Sequence, residues 1–279
     1  MGIVLHTLAA LGYAALAWRP WRALSGHADG VATTPERLGL ALVLLVHGVA
    51  LYQAMLGAHQ LRLGLGVALS ATFWLGMLVF WLESLIIRVD GVRLLLLPLA
   101  ALAALMPIVL PAPMVIPHAG NAWLPVHLIM SLAAYAFMTI AALHALLMAS
   151  ADRRLHRPQP SADHAGMSPA WSRLFDAIPP LLVLEQVLFR LIAMGFVLLS
   201  LAVVTGSAMS RALDGPWLPF DHKTVFTLLS WATFGVLLLG RWLRGWRGRV
   251  AVRYTLAGLV LLLLAYAGSR FVIELLLQR

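Results

Sequence analysis

Long apolar runs separated by short, arginine-bearing breaks make up most of this chain. Eight runs stand out, at 2–18, 38–56, 65–86, 92–110, 125–149, 187–207, 222–243 and 251–276. Crossing a bilayer takes about 20 mostly apolar residues of helix. The pattern therefore predicts an all-α fold, a polytopic transmembrane helical bundle of about eight spans in a single domain over 1–279. Segment 92–110 carries Pro98 and Pro107, which membrane helices tolerate where neighbours satisfy the freed carbonyls. The first run has the hydropathy of a signal peptide. It lacks a basic n-region, however, and Arg-Pro-Trp follows it where a small-residue cleavage site would stand, so it is read as a retained span. Segment 150–186, rich in Pro and Ser, is the one long loop, and no internal repeat is visible.

Composition agrees with the pattern. Residues are 62% hydrophobic and 11% charged, whereas soluble domains carry about 25% charged residues. Such a chain cannot clothe itself in a polar surface, and the lipid bilayer is its expected solvent. The net charge of +9 is not read as a nucleic-acid footprint, because the arginines sit in short loops between spans. Fourteen basic residues fall in loops 19–37, 87–93, 150–186 and 241–253, and five, Arg62, Arg211, Lys223, Arg270 and Arg279, fall toward the other side. The positive-inside rule places the fourteen in the cytoplasm. Both termini are then periplasmic, in a multi-pass protein of a bacterial inner membrane. The absence of cysteine removes disulfides, thiolate metal sites and CxxC redox chemistry.

This topology sorts the ten histidines by depth. His127 opens the fifth span and His222 the seventh, both at the outer face. His118 and His59 lie in outer loops, and His47 and His144 lie deeper within spans. Two imidazoles at one level on neighbouring helices can hold one metal, such as a haem iron, from opposite faces. Each can equally be a histidine at a wet interface with its hydrogen bonds satisfied. Beneath His127, Ser131, Ala134 and Met138 follow at helical spacing; beneath His222 come Phe226, Leu229 and Thr233. These stripes would admit a flat ring, and they are also ordinary for helix packing.

The stretch FDHKTVFTLLSW, residues 220–231, contains the only lysine in the chain, Lys223. Lys223 and Arg270 are both expected near the outer surface, where a cation can bind a carboxylate. Arg270 can instead pair with Glu274 four residues on. Asp221 suits the N-terminus of a helix, where it caps exposed N–H groups.

Together these residues resemble a known family. The run HLIMSLAAYAF from His127 is similar to the helix that begins with a haem-ligating histidine in the cytochrome c assembly membrane proteins, the CcsA/CcmC/HemX group. LEQVLFRLIAMGFVLLSLAVVTG, residues 184–206, resembles the next span of that family, which also ends in a TG pair. GPWLPFDHKTVFTLLSW, GWRGR and AYAGSRFVIELLL resemble the HemX-like, YpjD-type branch. The motifs cover residues 120–279, and the first four spans match in hydropathy and order.

The resemblance implies a haem b site near the periplasmic face with His127 on the iron; His222 is read as standing in for the family's second ligand, Lys223 and Arg270 as facing the propionates, and Asp221, Phe220 and His118 as close by. Departures from the family pattern are equally visible. Its tryptophan-rich outer motif ends in WDPKE; here Gly215, Asp221 and Lys223 fit, Phe220 stands in for a tryptophan and His222 for the proline. The family's second outer histidine lies beyond the last span, and residues 223–279 contain no histidine. Its deep histidine would fall near Gly240.

The function implied is haem handling or cytochrome c assembly, with haem, the bilayer and other cytochrome c assembly membrane proteins as partners. A cofactor-free membrane scaffold or regulator is the alternative. The residues present no nucleophile–base pair, hydrolase metal motif or phosphate loop, so no enzyme activity is expected. A transporter would need broken half-helices and an ion path, and neither is evident.

Overall fold

A computed structural model describes residues 2–24, 33–56, 61–86, 92–111, 114–116, 123–155 and 181–265. Among these, eight α-helices follow the eight apolar runs. They are α1 (Gly2–Leu24), α2 (Thr34–Leu56), α3 (Leu65–Ser84), α4 (Arg93–Val109), α5 (Trp123–Leu155), α6 (Leu181–Ala212), α7 (His222–Arg244) and α8 (Arg249–Leu263). Five of them, α2, α3, α5, α6 and α7, are long and apolar enough to cross a membrane; α4 is a shorter apolar helix.

The longest helices exceed their apolar runs at both ends. α5 has 33 residues, about 50 Å at 1.5 Å per residue. That is well beyond a hydrocarbon core of about 30 Å, so the ends of α5 continue into the polar layers. One element was not foreseen. Strands β1 (Arg62–Leu63) and β2 (Met114–Val115) form an antiparallel ladder that ties the segment after α2 to the segment after α4.

The packing falls into two groups. α1 packs on α2 and α4, and α4 on α3; α5 packs most extensively on α6, and α8 lies against both α5 and α7. Contact between α3 and α5 joins the groups. Lipid is as apolar as the helices, so close backbone approach and interhelical hydrogen bonds hold such a bundle together. Gly66 of α3 is one such approach, because a Cβ there would lie 2.5 Å from the Met106 carbonyl oxygen of α4. Trp74 Nε1 donates to the Leu44 carbonyl at 2.8 Å, Ser230 Oγ to Gly258 at 2.8 Å and Tyr135 Oη to Leu262 at 2.5 Å. His47 is fully buried and pins α1, α2 and α3 together. Its Nδ1 lies 3.2 Å from the Tyr13 hydroxyl and its Nε2 2.9 Å from Ser70 Oγ.

α7 is bounded at both ends. Asp221 is its N-cap, with the carboxylate accepting from Thr224 N–H at 2.8 Å. Gly245 ends it in the left-handed region at φ 65°, and its N–H donates to the Arg241 carbonyl at 3.1 Å. The Asp221 carboxyl titrates below its ordinary range. Burial alone would raise it, but the backbone and side-chain hydrogen bonds of Thr224 and the charges of Lys223 and His222 outweigh that effect. A carboxyl depressed by folding stabilises the native state above its unfolded pKa, and that contribution is lost as pH falls through the folded value. We expect Asp221→Ala to cost about 1 kcal/mol at neutral pH. Melting curves of the two proteins should converge on acidification below the ordinary carboxylate range.

Candidate functional site

At the end of the bundle where α5 and α7 begin, α3, α5, α6, α7 and α8 enclose a cavity of about 340 Å³. This lies within the range of about 300–1,000 Å³ that small-molecule sites occupy. Its wall is largely apolar, with Ala68 and Phe73 from α3, Leu128 and Leu132 from α5, Leu199 and Ala202 from α6, and Leu259 and Leu262 from α8. The polar groups on it are few: His127, Ser131, Tyr135 and Thr139 of α5, Thr72 of α3, and Lys223 and Thr227 of α7.

His127 is the half-buried imidazole of this wall. Its Nδ1 lies 3.0 Å from the Ala202 carbonyl. A carbonyl only accepts, so the neutral ring carries its proton on Nδ1 and keeps a lone pair on Nε2. Nε2 lies 3.5 Å from Ser131 Oγ, at the limit of a hydrogen bond. Thr205 Oγ1, 3.4 Å from Nδ1, already donates to the Leu201 carbonyl at 2.7 Å. Gly206 lies against the ring edge, where a Cβ would sit 3.0 Å from Cε1. The TG pair is thus the seat of the imidazole. An imidazole whose outer nitrogen is held by a carbonyl is the usual arrangement for a metal-ligating histidine.

The rotation of α7 decides which of its residues reach this wall. Ser230 bonds to α8, and Trp231 Nε1 donates to Ser200 Oγ of α6 at 2.9 Å. Lys223, Thr227, Ser230, Phe234 and Leu237 then share one helical stripe. The last three are buried, and the first two line the cavity. His222 lies about 100° round the helix, given 3.6 residues per turn. Its side chain is exposed and is not part of the cavity wall; the stripe beneath it includes the exposed Leu229.

Phe220 is 91% exposed and Asp221 is taken up by the cap. The structure thus brings His127 and Lys223 to one cavity and leaves His222, Phe220 and Asp221 outside it. His118 and Arg270 lie outside the described residues. On α5, Ser131 lines the cavity as the spacing suggested, while Ala134 and Met138 are buried in the core. His47 and His144 are fully buried away from this wall, and His144 Nδ1 bonds to the Ile140 carbonyl at 3.0 Å. Among the described residues no three His, Cys, Asp or Glu side chains gather as a metal site.

Apolar helices of this length, packed round a greasy cavity with one seated imidazole and one cation on its wall, define a polytopic helical membrane protein. More specifically, the chain belongs to the cytochrome c assembly protein family, whose model matches residues 37–277. That match takes in α2, α3 and α4 as well as the motif-bearing half, and begins after α1.

Relatives point the same way. An uncharacterized 28.8 kDa protein of Azospirillum brasilense, named for the nifR3-like 5′ region, is 33% identical over 243 residues, 85% of each chain. Inner membrane protein YpjD of Escherichia coli is 35% identical over 150 residues, 54% of this chain and 52% of YpjD. The cytochrome c biogenesis protein CcsA of Prochlorococcus marinus is 32% identical over 85 residues, 30% of this chain and 27% of CcsA. This chain therefore spans about half of YpjD and about a quarter of CcsA. No solved structure matches significantly.

Proposed function

We propose that this protein is a haem b-binding member of the bacterial inner membrane that serves cytochrome c assembly or haem handling. Its cavity would open toward the periplasmic face, with both termini on that side. One observation carries the reading: the Ala202 carbonyl fixes the Nδ1–H tautomer of His127 and leaves Nε2 available on an apolar wall that also bears Lys223. That donor set fits a flat, apolar, carboxylate-bearing metal ring. His127 Nε2 would hold the iron, Lys223 would meet a propionate, and the apolar walls would exclude water. Bound haem would supply the iron and the cargo; the chain would hold and orient it without catalysing a reaction. Other cytochrome c assembly membrane proteins are the expected partners.

A cofactor-free scaffold is the second reading, favoured by the exposed position of His222, which leaves His127 as the cavity's one described histidine. Titrating haem into the detergent-solubilised protein separates the two. The first reading predicts saturation at one haem per chain. A charged hydrogen bond contributes about 1.5–3 kcal/mol, so Lys223→Ala should weaken retention by roughly tenfold or more, and Lys223→Arg should keep most of it. Linear, unsaturable uptake would favour the scaffold. An unchanged alanine variant would remove Lys223 from the site.

A further inference from the structure

A second cavity, of about 500 Å³, lies at the opposite end of the bundle, between the end of α5 and the starts of α6 and α8. Asp152, on its wall, is 25 residues beyond His127 on α5, about 37 Å along the helix. Its chemistry is unlike that of the first cavity. Met148, Leu181, Val252 and Leu256 give it an apolar side, and Arg153, Arg249 and Arg253 give it a cationic one.

Two acids also line it, and both have arginine partners. Asp152 accepts from Arg249 Nε at 3.1 Å. Glu185 accepts from Arg241 at 2.5 Å and has Arg247 at 4.0 Å. Arg153 and Arg253 have no acid partner among the described residues, and both side chains are exposed. Gly248, which caps α8 without any side-chain hydrogen bond, is on the same wall.

The geometry points to a binding site for the phosphodiester of an anionic phospholipid, held by Arg153 and Arg253. Three features select a lipid over a soluble anion. The cations border an apolar surface that suits an acyl chain. The pocket lies where helices end, at the level of headgroups. Finally, arginine-lined pockets between membrane helices on the arginine-rich side bind such headgroups. The guanidinium fork matches a phosphate at two points, and the neighbouring Asp152–Arg249 pair links α5 and α8 at the rim of the pocket. This site is independent of the haem reading and would regulate stability or placement in the membrane rather than cofactor binding.

The test uses the full chain in neutral detergent, titrated separately with phosphatidylglycerol, phosphatidylcholine and inorganic phosphate while the melting temperature is followed. We expect a saturable rise with phosphatidylglycerol, none with phosphatidylcholine and none with millimolar phosphate. Arg153→Gln combined with Arg253→Gln should weaken the phosphatidylglycerol response at least tenfold. Arg244→Gln, at an exposed arginine outside the pocket, should leave it intact. Arg253→Lys gives a milder second variant, expected to fall between. Equal responses to both lipids, or an unchanged double variant, would overturn the site. Protection by inorganic phosphate equal to that by lipid would overturn the lipid assignment.

Discussion

Alanine at position 127 should abolish stable haem binding while the protein still inserts and folds. The variant removes Nε2, the proposed iron ligand, from the cavity wall. Changing only the partners of a metal-bound histidine typically costs 10–100-fold in affinity, so loss of the ligand itself should exceed about 100-fold. The structural cost is smaller. It leaves the Ala202 carbonyl without its imidazole donor, a loss of about 1–2 kcal/mol. His127→Gly should be partly rescued by free imidazole, which a merely structural defect would not show. Retention of haem by either variant, in the absence of added imidazole, would remove His127 as the ligand.

The largest effect on stability is expected at Gly66. A methyl group there meets the Met106 carbonyl oxygen at 2.5 Å and its carbon at 2.9 Å. Both atoms are backbone, so no side-chain rotation relieves the clash, and α3 must move away from α4. Overpacking of this kind costs about 1–3 kcal/mol. The displaced helix also carries Ala68 and Thr72 of the cavity wall, so haem retention should fall with stability. By contrast, Gly2→Ala meets nothing within 4 Å and should leave the melting curve unchanged. A Gly66→Ala protein that melts with the wild type would contradict a close α3–α4 contact at this position.

The helices were legible because a bilayer leaves few ways to read a long apolar run. The lengths of α5 and α6 were not, since their polar ends stay helical by continuing the backbone ladder, which hydropathy does not record. The two-residue strands at Arg62 and Met114 are too short to leave a pattern.

At the site, His127 and Lys223 were both singled out from sequence, and the cap role of Asp221 followed from its place before an apolar run. What the sequence could not supply was rotation. His222 and Lys223 are adjacent, and only one can face the cavity. The choice is made by Ser230 bonding to α8 and Trp231 to α6, contacts between residues 28 and 31 apart in sequence. The seat formed by Ala202, Thr205 and Gly206 was visible only as a TG pair, with its link to His127 hidden by a separation of 75 or more residues. The second cavity went unread for the same reason, because its arginines come from α5 and α8 and looked like topology signals alone.

The most direct test is the absorption spectrum of the full chain purified in mild detergent from haem-replete cells. The haem-binding account predicts a Soret band and, on reduction, sharp α and β bands, with about one haem per chain and loss of the Soret band in His127→Ala. A colourless protein that also fails to gain a saturable Soret band on haem addition would contradict it.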